Sequence, residues 1–386
     1  MFKVPYSMFF IGFSSGLPFL MTLTVLDVWM KSCDISNTTI GLVTFVNIPF
    51  ILKFLWSPFI DKMYCPFIPK SFGKKKGWTV ISQVIIIIGL ITIGFLPPNK
   101  YFYYNIFTAF IIATGTSIQN MALYSFQICN AQNNAYGTTA SAVTFGYRIG
   151  MLVSNSGALF LASKYNWTVS YSFVAILLLI CTIVISKLPE PKEIETKEKI
   201  KIKKISNIIY ISKKTNTIRS IFTEYFFIPI KMFIKNPNWI LIISIIALFK
   251  AGDVFAHKMS KPLYLELGFT TYDIAVVVGI FGVIATLLGG IVGGKLVQVL
   301  GVKKSMVTCS ILHAFANLMY LGLYLKGYDF IFFYSSVALE NFSGGMMMTA
   351  FLSFLYKISS KYCPTTQYAI LWGIHGLSSN LFRSLS

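Results

Sequence analysis

The chain has 386 residues, of which 55% are hydrophobic and only 12% charged, and its formal net charge is +20. Soluble domains carry roughly 25% charged residues, and nucleic-acid-binding proteins gather their bases on a polar surface. Here the bases lie between long apolar runs, which excludes a soluble enzyme and a nucleic-acid partner. The composition predicts an all-α polytopic membrane protein embedded in the lipid bilayer.

Eleven segments are long and apolar enough to cross a bilayer, which requires about 20 mostly apolar residues. Helices 1 to 6 are predicted at Tyr6–Met30, Thr39–Ile60, Trp78–Leu96, Tyr103–Phe126, Thr138–Ser163 and Trp167–Leu188. Helices 7 to 11 are predicted at Trp239–Met259, Thr271–Val299, Ser305–Leu325, Phe330–Tyr356 and Thr365–Leu385. We therefore expect a six-helix bundle over 1–188, a basic linker over 189–236 and an incomplete C-terminal bundle over 237–386.

The distribution of lysines predicts the orientation in the membrane. The N-terminal tail and the even-numbered loops hold far more lysines than the odd-numbered loops. Because cytoplasmic loops carry the excess of Lys and Arg, we expect the N-terminus to lie in the cytoplasm. The same rule makes the 189–236 linker cytoplasmic, lying against anionic lipid headgroups.

Two related loops repeat within the chain, one after helix 2 and one after helix 8. Six helices, a long linker and five more helices match the plan of the major facilitator superfamily with one helix missing. Both loops resemble the superfamily's G-x-x-x-D-R-x-G-R-K loop, which latches the cytoplasmic ends of neighbouring helices. The predicted latch residues are Asp61, Lys62, Lys74, Lys75 and Lys76.

Ionisable side chains inside the helices are the candidate functional residues, because each costs about 2.5–3.5 kcal/mol to insert into a bilayer. Lys250 and Asp253 stand three residues apart on helix 7, so they share a face and can pair. The pair either lines a water-filled cavity suited to an anionic substrate or a relayed proton, or is a structural ion pair. Glu340, beside Asn341 on helix 10, is either a proton carrier or a structural carboxylate.

Asp27 on helix 1 and Arg148 on helix 5 complete the ionisable candidates. Arg148 could clamp a carboxylate or phosphate bidentately, or neutralise an acid from another helix. His313 is predicted to be a hydrogen-bonded core histidine. The sequence shows no nucleophile–base set, metal-ligand cluster or nucleotide-binding loop, so we expect neither an enzyme nor a cofactor or metal.

Seven motifs in order carry a resemblance to a known family: Gly12–Pro18, Lys53–Asp61, Gly73–Trp78, Gly146–Met151, Lys250–Asp253, Glu340–Met346 and Thr366–Ala369. These stretches resemble the AmpG family of muropeptide permeases within the major facilitator superfamily. The resemblance implies a proton-coupled transporter of the bacterial inner membrane. It would import anhydro-muropeptides, which are cell-wall fragments bearing an N-acetylglucosaminyl-anhydro-muramyl sugar and a short peptide.

Helix 4 departs from the family pattern S-Q-D-x-x-x-D-x-x-x-x-D. The matching positions here are Ile118, Gln119, Asn120, Tyr124 and Cys129, so only the glutamine is retained. An amide at position 120 keeps hydrogen bonding but cannot carry a proton. We expect Gln119 and Asn120 to bind a sugar-like ligand, and Glu340 or Asp253 to substitute for the missing acids.

The chain also ends early relative to the family, whose members continue through a twelfth helix. We expect a divergent and C-terminally shortened member, monomeric, that moves a small solute by rocking its two halves about a midplane cavity. The alternatives are a transporter of another solute with altered coupling, or a non-transporting remnant.

Overall fold

The computed structural model describes residues 4–131, 135–190, 226–234, 237–249, 251–359 and 363–385. Their regular structure is helical, and these ranges contain no strand. Each of the eleven predicted segments coincides with a long helix, or with consecutive helical segments, over its described residues. The predicted all-α polytopic class is therefore confirmed.

Eight helices in the described part of the chain are long and apolar enough to span a membrane by length and composition. Helices 1 to 4 cover Tyr6–Ser32, Asn37–Lys62, Lys74–Phe95 and Phe102–Asn130, and helix 6 covers Trp167–Ser186. Helix 7 comprises Trp239–Leu248 and Ala251–Glu266, and helices 8 and 9 cover Thr271–Leu300 and Val302–Lys326. A short helix, Ile228–Ile234, precedes helix 7.

Three further long helices fall outside that group of eight. Helix 5 runs through Tyr136–Leu152, Val153–Gly157 and Ala158–Lys164, helix 10 covers Phe330–Ile358 and helix 11 covers Pro364–Leu385. Their sequences carry more polar groups. Helix 10, for example, buries Glu340, Ser343 and Thr349. Polar groups buried against other helices do not face lipid, so these helices need not be apolar throughout.

Helix 4 is longer than its predicted end at Phe126, because it continues to Asn130. The polar residues at this end are satisfied within the protein. Gln127 is buried, and the Asn130 side-chain amide donates to the Phe126 carbonyl at 2.8 Å. Hydropathy placed the boundary too early because it scores polarity without knowing where a side chain points.

Helix 1 is interrupted near Pro18, as its Gly16-Leu17-Pro18 sequence predicts. An α-helical segment ends at Gly16, and a π-helical segment at Met21–Val25 leads into Leu26–Ser32. Proline removes one backbone donor and disturbs the preceding turn. The Tyr171 hydroxyl of helix 6 donates to the Met21 carbonyl at 3.2 Å, which supplies a partner in the disturbed segment.

The chain forms two compact units. Unit 1 comprises Met1–Asn130, Phe145–Pro229 and Ser360–Ala369, and unit 2 comprises Ala131–Thr144, Ile230–Ser359 and Ile370–Ser386. The divisions predicted from the sequence, 1–188, 189–236 and 237–386, stay a prediction. Most of the predicted linker lies outside the described residues.

Glycines bring helices into close backbone contact in both units. In unit 1, a Cβ at Gly146 of helix 5 would collide with the Phe9 carbonyl of helix 1. In unit 2, a Cβ at Gly289 of helix 8 would collide with the Phe342 carbonyl of helix 10. The Gly289-Gly290 and Gly293-Gly294 steps predict such close packing, and the structure confirms it.

Candidate functional site

Asp61, at the end of helix 2, is a buried carboxylate that binds the first residues of helix 11. It accepts hydrogen bonds from the Thr366 amide and hydroxyl, each at 2.8 Å, and from the Thr365 amide at 3.3 Å. The first amides of a helix lack intrahelical acceptors and carry partial positive charge. Asp61 therefore stabilises this helix terminus. The sequence marked Asp61 and the Thr366 motif separately but could not pair them.

The lysines of the predicted latch lie around the loop between helices 2 and 3. Lys74 Nζ donates to the Asp61 carbonyl at 2.8 Å, and Lys62 is half-buried. Lys75 is buried with 2% of its surface exposed. Lys76 Nζ lies 4.7 Å from the centroid of the Phe72 ring. The side chains are thus held close to the loop, and their latch role stays a prediction.

Glu190, which sequence analysis missed, caps the start of helix 3. Its carboxylate accepts from the Lys75 amide at 2.7 Å and from the Lys76 amide at 3.1 Å. Gly73, at φ +104°, makes room for it, since a Cβ there would lie 2.5 Å from Glu190 Oε2. Nothing distinguished Glu190 in sequence from the other acids of the basic stretch after helix 6.

The two amides of helix 4 have opposite hydrogen-bonding roles in unit 1. Gln119 is fully buried, and its Nε2 donates to the Ser14 carbonyl of helix 1 at 2.7 Å. Asn120 is half-buried, and its Oδ1 accepts from the Ser15 hydroxyl at 2.7 Å. Both predicted residues are therefore tied to helix 1. Gln119 Oε1 is buried without a hydrogen-bond partner among the described residues.

The next position where the family carries an acid is Tyr124, one turn further along helix 4. Its ring lies 4.4 Å from the Tyr368 ring, measured between centroids. Lys53 Nζ of helix 2 lies 5.8 Å from the Tyr124 centroid. An aromatic face attracts a cation, so Tyr124 offers this lysine a neutral π surface in place of a carboxylate.

Asp27 and Arg148 lie on helices 1 and 5 of unit 1, whose regular hydrogen bonding is interrupted by π-helical segments. Asp27 is half-buried and Arg148 is exposed. No hydrogen bond or ion pair joins the two within the described structure. The Thr24 hydroxyl donates to Asn155 Oδ1 at 3.0 Å, and it links the two interrupted helices.

Unit 2 contains a buried imidazole between a carboxylate and a hydroxyl. His313 of helix 9 is 4% exposed. Its Nε2 lies 3.1 Å from Asp253 Oδ1 of helix 7, and its Nδ1 lies 2.9 Å from Ser343 Oγ of helix 10. Asp253 was predicted to pair with Lys250, which lies outside the described residues. The histidine partner was missed because the two residues are distant in sequence.

Glu340 lies one turn before Ser343 and is buried, with 4% of its surface exposed. The Asn341 side-chain amide donates to Glu340 Oε2 at 2.7 Å, and the Thr286 hydroxyl of helix 8 donates to Asn341 Oδ1 at 3.1 Å. Tyr320 of helix 9 interacts electrostatically with the carboxylates of both Glu340 and Asp253. The two predicted carboxylates of unit 2 therefore belong to one polar cluster.

Long apolar helices that bury polar side chains are typical of a polytopic membrane protein. The model of the Major Facilitator Superfamily matches residues 8–386. AmpG 2 of Rickettsia typhi is 32% identical over 97% of this chain and 86% of that protein. The anhydromuropeptide permease of Escherichia coli is 30% identical over 94% of this chain and 69% of that protein. The chain belongs to the major facilitator superfamily and, within it, to the AmpG transporters.

A solved structure of the proton:xylose symporter XylE, bound to 6-bromo-6-deoxy-D-glucose, shares the fold with a TM-score of 0.64. The match covers 98% of this chain and 86% of that chain at 13% sequence identity. Membership makes the chain a transporter of a small solute and not an enzyme, as the sequence predicted.

Proposed function

We propose that this transporter imports a muropeptide-like cell-wall fragment across the bacterial inner membrane by alternating access, coupled to protons. The observation that carries the proposal is the 30% identity with an anhydromuropeptide permease over 94% of the chain. We further propose that the protein works as a monomer with its N-terminus in the cytoplasm, as the lysine distribution predicts.

The polar side chains of unit 1 suit a sugar that carries carboxylates. Asn120 is half-buried and keeps amide hydrogens available beyond the bond that its Oδ1 accepts. Arg148 is exposed and presents a planar guanidinium that binds carboxylates bidentately. We therefore assign solute binding to Gln119, Asn120 and Arg148, with Asp27 as a further residue on helix 1.

The carboxylates of unit 2 suit proton handling. Asp253 and Glu340 belong to a cluster that also contains an imidazole and a tyrosine hydroxyl. These are the side chains that bind and release protons in proteins. Unit 1 lacks the family's acids along helix 4, so unit 2 is where we place proton coupling, with Lys250 as a neighbouring charge.

The loop after helix 2 is proposed to latch one conformation of the transport cycle. Asp61 binds the terminus of helix 11 through three hydrogen bonds, and Glu190 caps helix 3. Hydrogen bonds from a carboxylate to backbone amides are charge-assisted and comparatively strong. They can nevertheless be replaced by water when the cytoplasmic side opens.

The direct test is uptake of a labelled anhydro-muropeptide by cells that lack their own permease and express this chain, at two external pH values. We expect uptake that increases at acidic pH, because protons would then drive accumulation. The control is the same strain with an empty vector, and membrane levels are measured in parallel. Absence of uptake with normal membrane levels rejects the muropeptide assignment.

A second candidate is transport of another solute with altered coupling. It is favoured by Asn120 and Tyr124, which stand where the family has acids. Uptake of a different sugar–peptide or sugar with no dependence on external pH would support it. If no solute is moved, the chain is a non-transporting remnant.

A further inference from the structure

His313 is held by hydrogen bonds on both ring nitrogens, and these bonds report on its protonation. A neutral imidazole has one N–H donor and one acceptor nitrogen, whereas an imidazolium has two donors. Asp253 Oδ1, 3.1 Å from Nε2, requires a donor when ionised. An ionised Asp253 therefore accepts a hydrogen from Nε2, and the direction of the bond to Ser343 depends on whether Nδ1 is protonated.

The Ser343 hydroxyl has a choice of acceptors that the imidazole controls. Its single hydrogen can point to the Leu339 carbonyl at 2.7 Å, to the Glu340 carbonyl at 3.0 Å, or to His313 Nδ1 at 2.9 Å. When the hydrogen bonds a carbonyl, Ser343 Oγ is an acceptor, and Nδ1 must be protonated to complete the bond. When Nδ1 is deprotonated, the hydroxyl turns to it and releases the carbonyl.

The packing fixes the ring in this position. Gly344 follows Ser343 on helix 10, and a Cβ at Gly344 would lie 3.3 Å from His313 Cε1. That distance is shorter than ordinary van der Waals contact. Glycine at position 344 therefore lets the imidazole lie close to the backbone of helix 10.

Titratable groups lie on the helices packed around the imidazole. Helix 7 contributes Asp253, which is bonded to the ring, and helix 10 carries Glu340, whose backbone carbonyl lies 3.0 Å from Ser343 Oγ. On its own helix lies Tyr320, which interacts with both carboxylates and is hydrogen-bonded to Tyr264 of helix 7. Lys250 and the side chain of His257 lie outside the described residues.

A cavity of about 350 Å³ lies beside helices 7 and 9 in unit 2. Asn317 and Tyr320 line it, and they follow His313 by four and seven residues on one helix face. Asn317 Oδ1 is buried without a hydrogen-bond partner among the described residues. An unsatisfied buried acceptor is costly, so we expect cavity water to donate to it one turn from His313.

We propose that His313 binds a transported proton together with the carboxylates of unit 2, and that Ser343 responds to the protonation of His313 by changing its hydrogen bond on helix 10. A proton from cavity water forms the Nδ1–H bond, and the Asp253 carboxylate balances the imidazolium charge. The Ser343 O–H bond stays intact and rotates from Nδ1 to the Leu339 carbonyl. Release of the proton to water on the other side of the membrane reverses both steps. The coupling role rests on the proposed function, whereas the protonation itself does not.

The first experiment needs no solute. The chain contains three histidines, so ¹⁵N-histidine NMR of the full chain in lipid nanodiscs can assign His313 by the signal lost in His313→Gln. We expect the spectra recorded at a series of pH values to show a form with hydrogen on both ring nitrogens, and Asp253→Asn to reduce the population of that form, since an opposite charge is removed. A ring that stays neutral at every pH at which the protein is folded, or an unchanged population in Asp253→Asn, overturns the proposal.

The second experiment separates coupling from transport. In proteoliposomes, His313→Gln and Ser343→Ala should lose pH-driven accumulation of anhydro-muropeptide by at least about tenfold, and lose counterflow exchange far less. Ser343→Thr keeps the hydroxyl and should restore accumulation. His375→Gln, a buried histidine of the same unit that contacts Phe351 and Trp372, serves as the control.

The outcomes distinguish the two proposals. If wild-type protein moves no muropeptide, the proposed function fails, and the NMR titration still decides whether His313 binds a proton. If both variants accumulate solute as the wild type does, the coupling role of His313 is rejected. If Ser343→Thr behaves like Ser343→Ala, the hydroxyl is not the transmitting group.

Discussion

The two units place different chemistry on comparable frameworks. In unit 1, Gln119 and Asn120 of helix 4 are amides bonded to helix 1, and Arg148 of helix 5 is exposed. In unit 2, the ionisable residues of the polar cluster are the half-buried Asp253, the buried Glu340 and the His313 imidazole between helices 7 and 10. Amides bind without titrating, whereas carboxylates and imidazoles do both. The contrast suggests that solute binding and proton binding are divided between the units.

Both units pack helices closely at glycines, where the backbones of neighbouring helices come into contact. Helices 1 and 5 meet at Gly146, and helices 8 and 10 meet at Gly289. The difference between the units therefore lies in the polar residues they carry and not in how the helices approach. Four substitutions test this comparison.

The largest effect is expected from Gly289→Ala, which breaks the framework of unit 2. The new Cβ would overlap the Phe342 carbonyl, and overpacking of this kind costs about 1–3 kcal/mol or more. The matched control is Gly279→Ala on the same helix, where a Cβ would meet nothing within 4 Å. Alanine there should stabilise the helix by up to about 1 kcal/mol. Thermal unfolding in detergent measures both, and equal effects would contradict the packing account.

Glu340→Gln tests the proton chemistry of unit 2. The amide keeps the shape of the side chain and can still bond Asn341, but it cannot carry charge. We expect pH-driven accumulation to fall at least about tenfold, the scale of losing a charged partner in a buried site. Asp34→Asn is the control, because Asp34 is exposed in a loop at φ 60°, a conformation that Asn tolerates. Accumulation in Glu340→Gln equal to that of the control would remove Glu340 from the pathway.

Hydropathy predicted the helices well because the bilayer imposes a length on each span. It failed where tertiary contacts decide, as at the end of helix 4. The candidate residues were identified one at a time, since an ionisable group in an apolar helix is visible in sequence. Their partners were not. Asp253 and His313 are 60 residues apart, and Asp61 and Thr366 are 305 apart.

Glu190 illustrates the same limit of sequence analysis, because here the contact involves a residue that the sequence did not single out. It lies in a charged stretch where an acid is ordinary, and only the fold reveals that it caps helix 3. His313 was predicted to be a core histidine, which describes its burial correctly but omits its two partners. A sequence pattern indicates the free-energy cost of placing a polar or charged residue in its segment. It does not indicate which residue, distant in sequence, offsets that free energy by bonding to it.

Arg148→Gln tests solute binding in unit 1. If the guanidinium binds a carboxylate of the solute, its loss should raise the KM for uptake about tenfold with a smaller change in maximal rate. Lys164→Gln is the control, because Lys164 is an exposed base in the last turn of the same helix. The pH dependence of uptake should be unchanged in both variants. A loss of pH dependence in Arg148→Gln would contradict the division of labour between the units.

The smallest effect is expected from Asn120→Asp, which returns an acid to helix 4. Asn120 accepts from the Ser15 hydroxyl through Oδ1, and aspartate preserves that acceptor, so this hydrogen bond should be kept. Gln119→Glu is the matched comparison, because the Gln119 side chain is a hydrogen-bond donor whereas the Asn120 side chain is an acceptor. Gln119 donates to the Ser14 carbonyl, and glutamate would set two acceptors against each other at a cost of about 1–3 kcal/mol.

The informative measurement on this pair is uptake against external pH. If proton binding resides only in unit 2, Asn120→Asp should add a second pH-dependent step to a profile that His313 and Glu340 already shape. Gln119→Glu should lower the amount of folded protein, and the folded fraction should keep the pH profile of the wild type. If Asn120→Asp instead leaves the profile unchanged while remaining folded, position 120 does not exchange protons with water. Helix 4 would then only form hydrogen bonds with the solute. Proton binding would be confined to unit 2, although the acids in the family pattern of helix 4 imply proton binding in unit 1 as well.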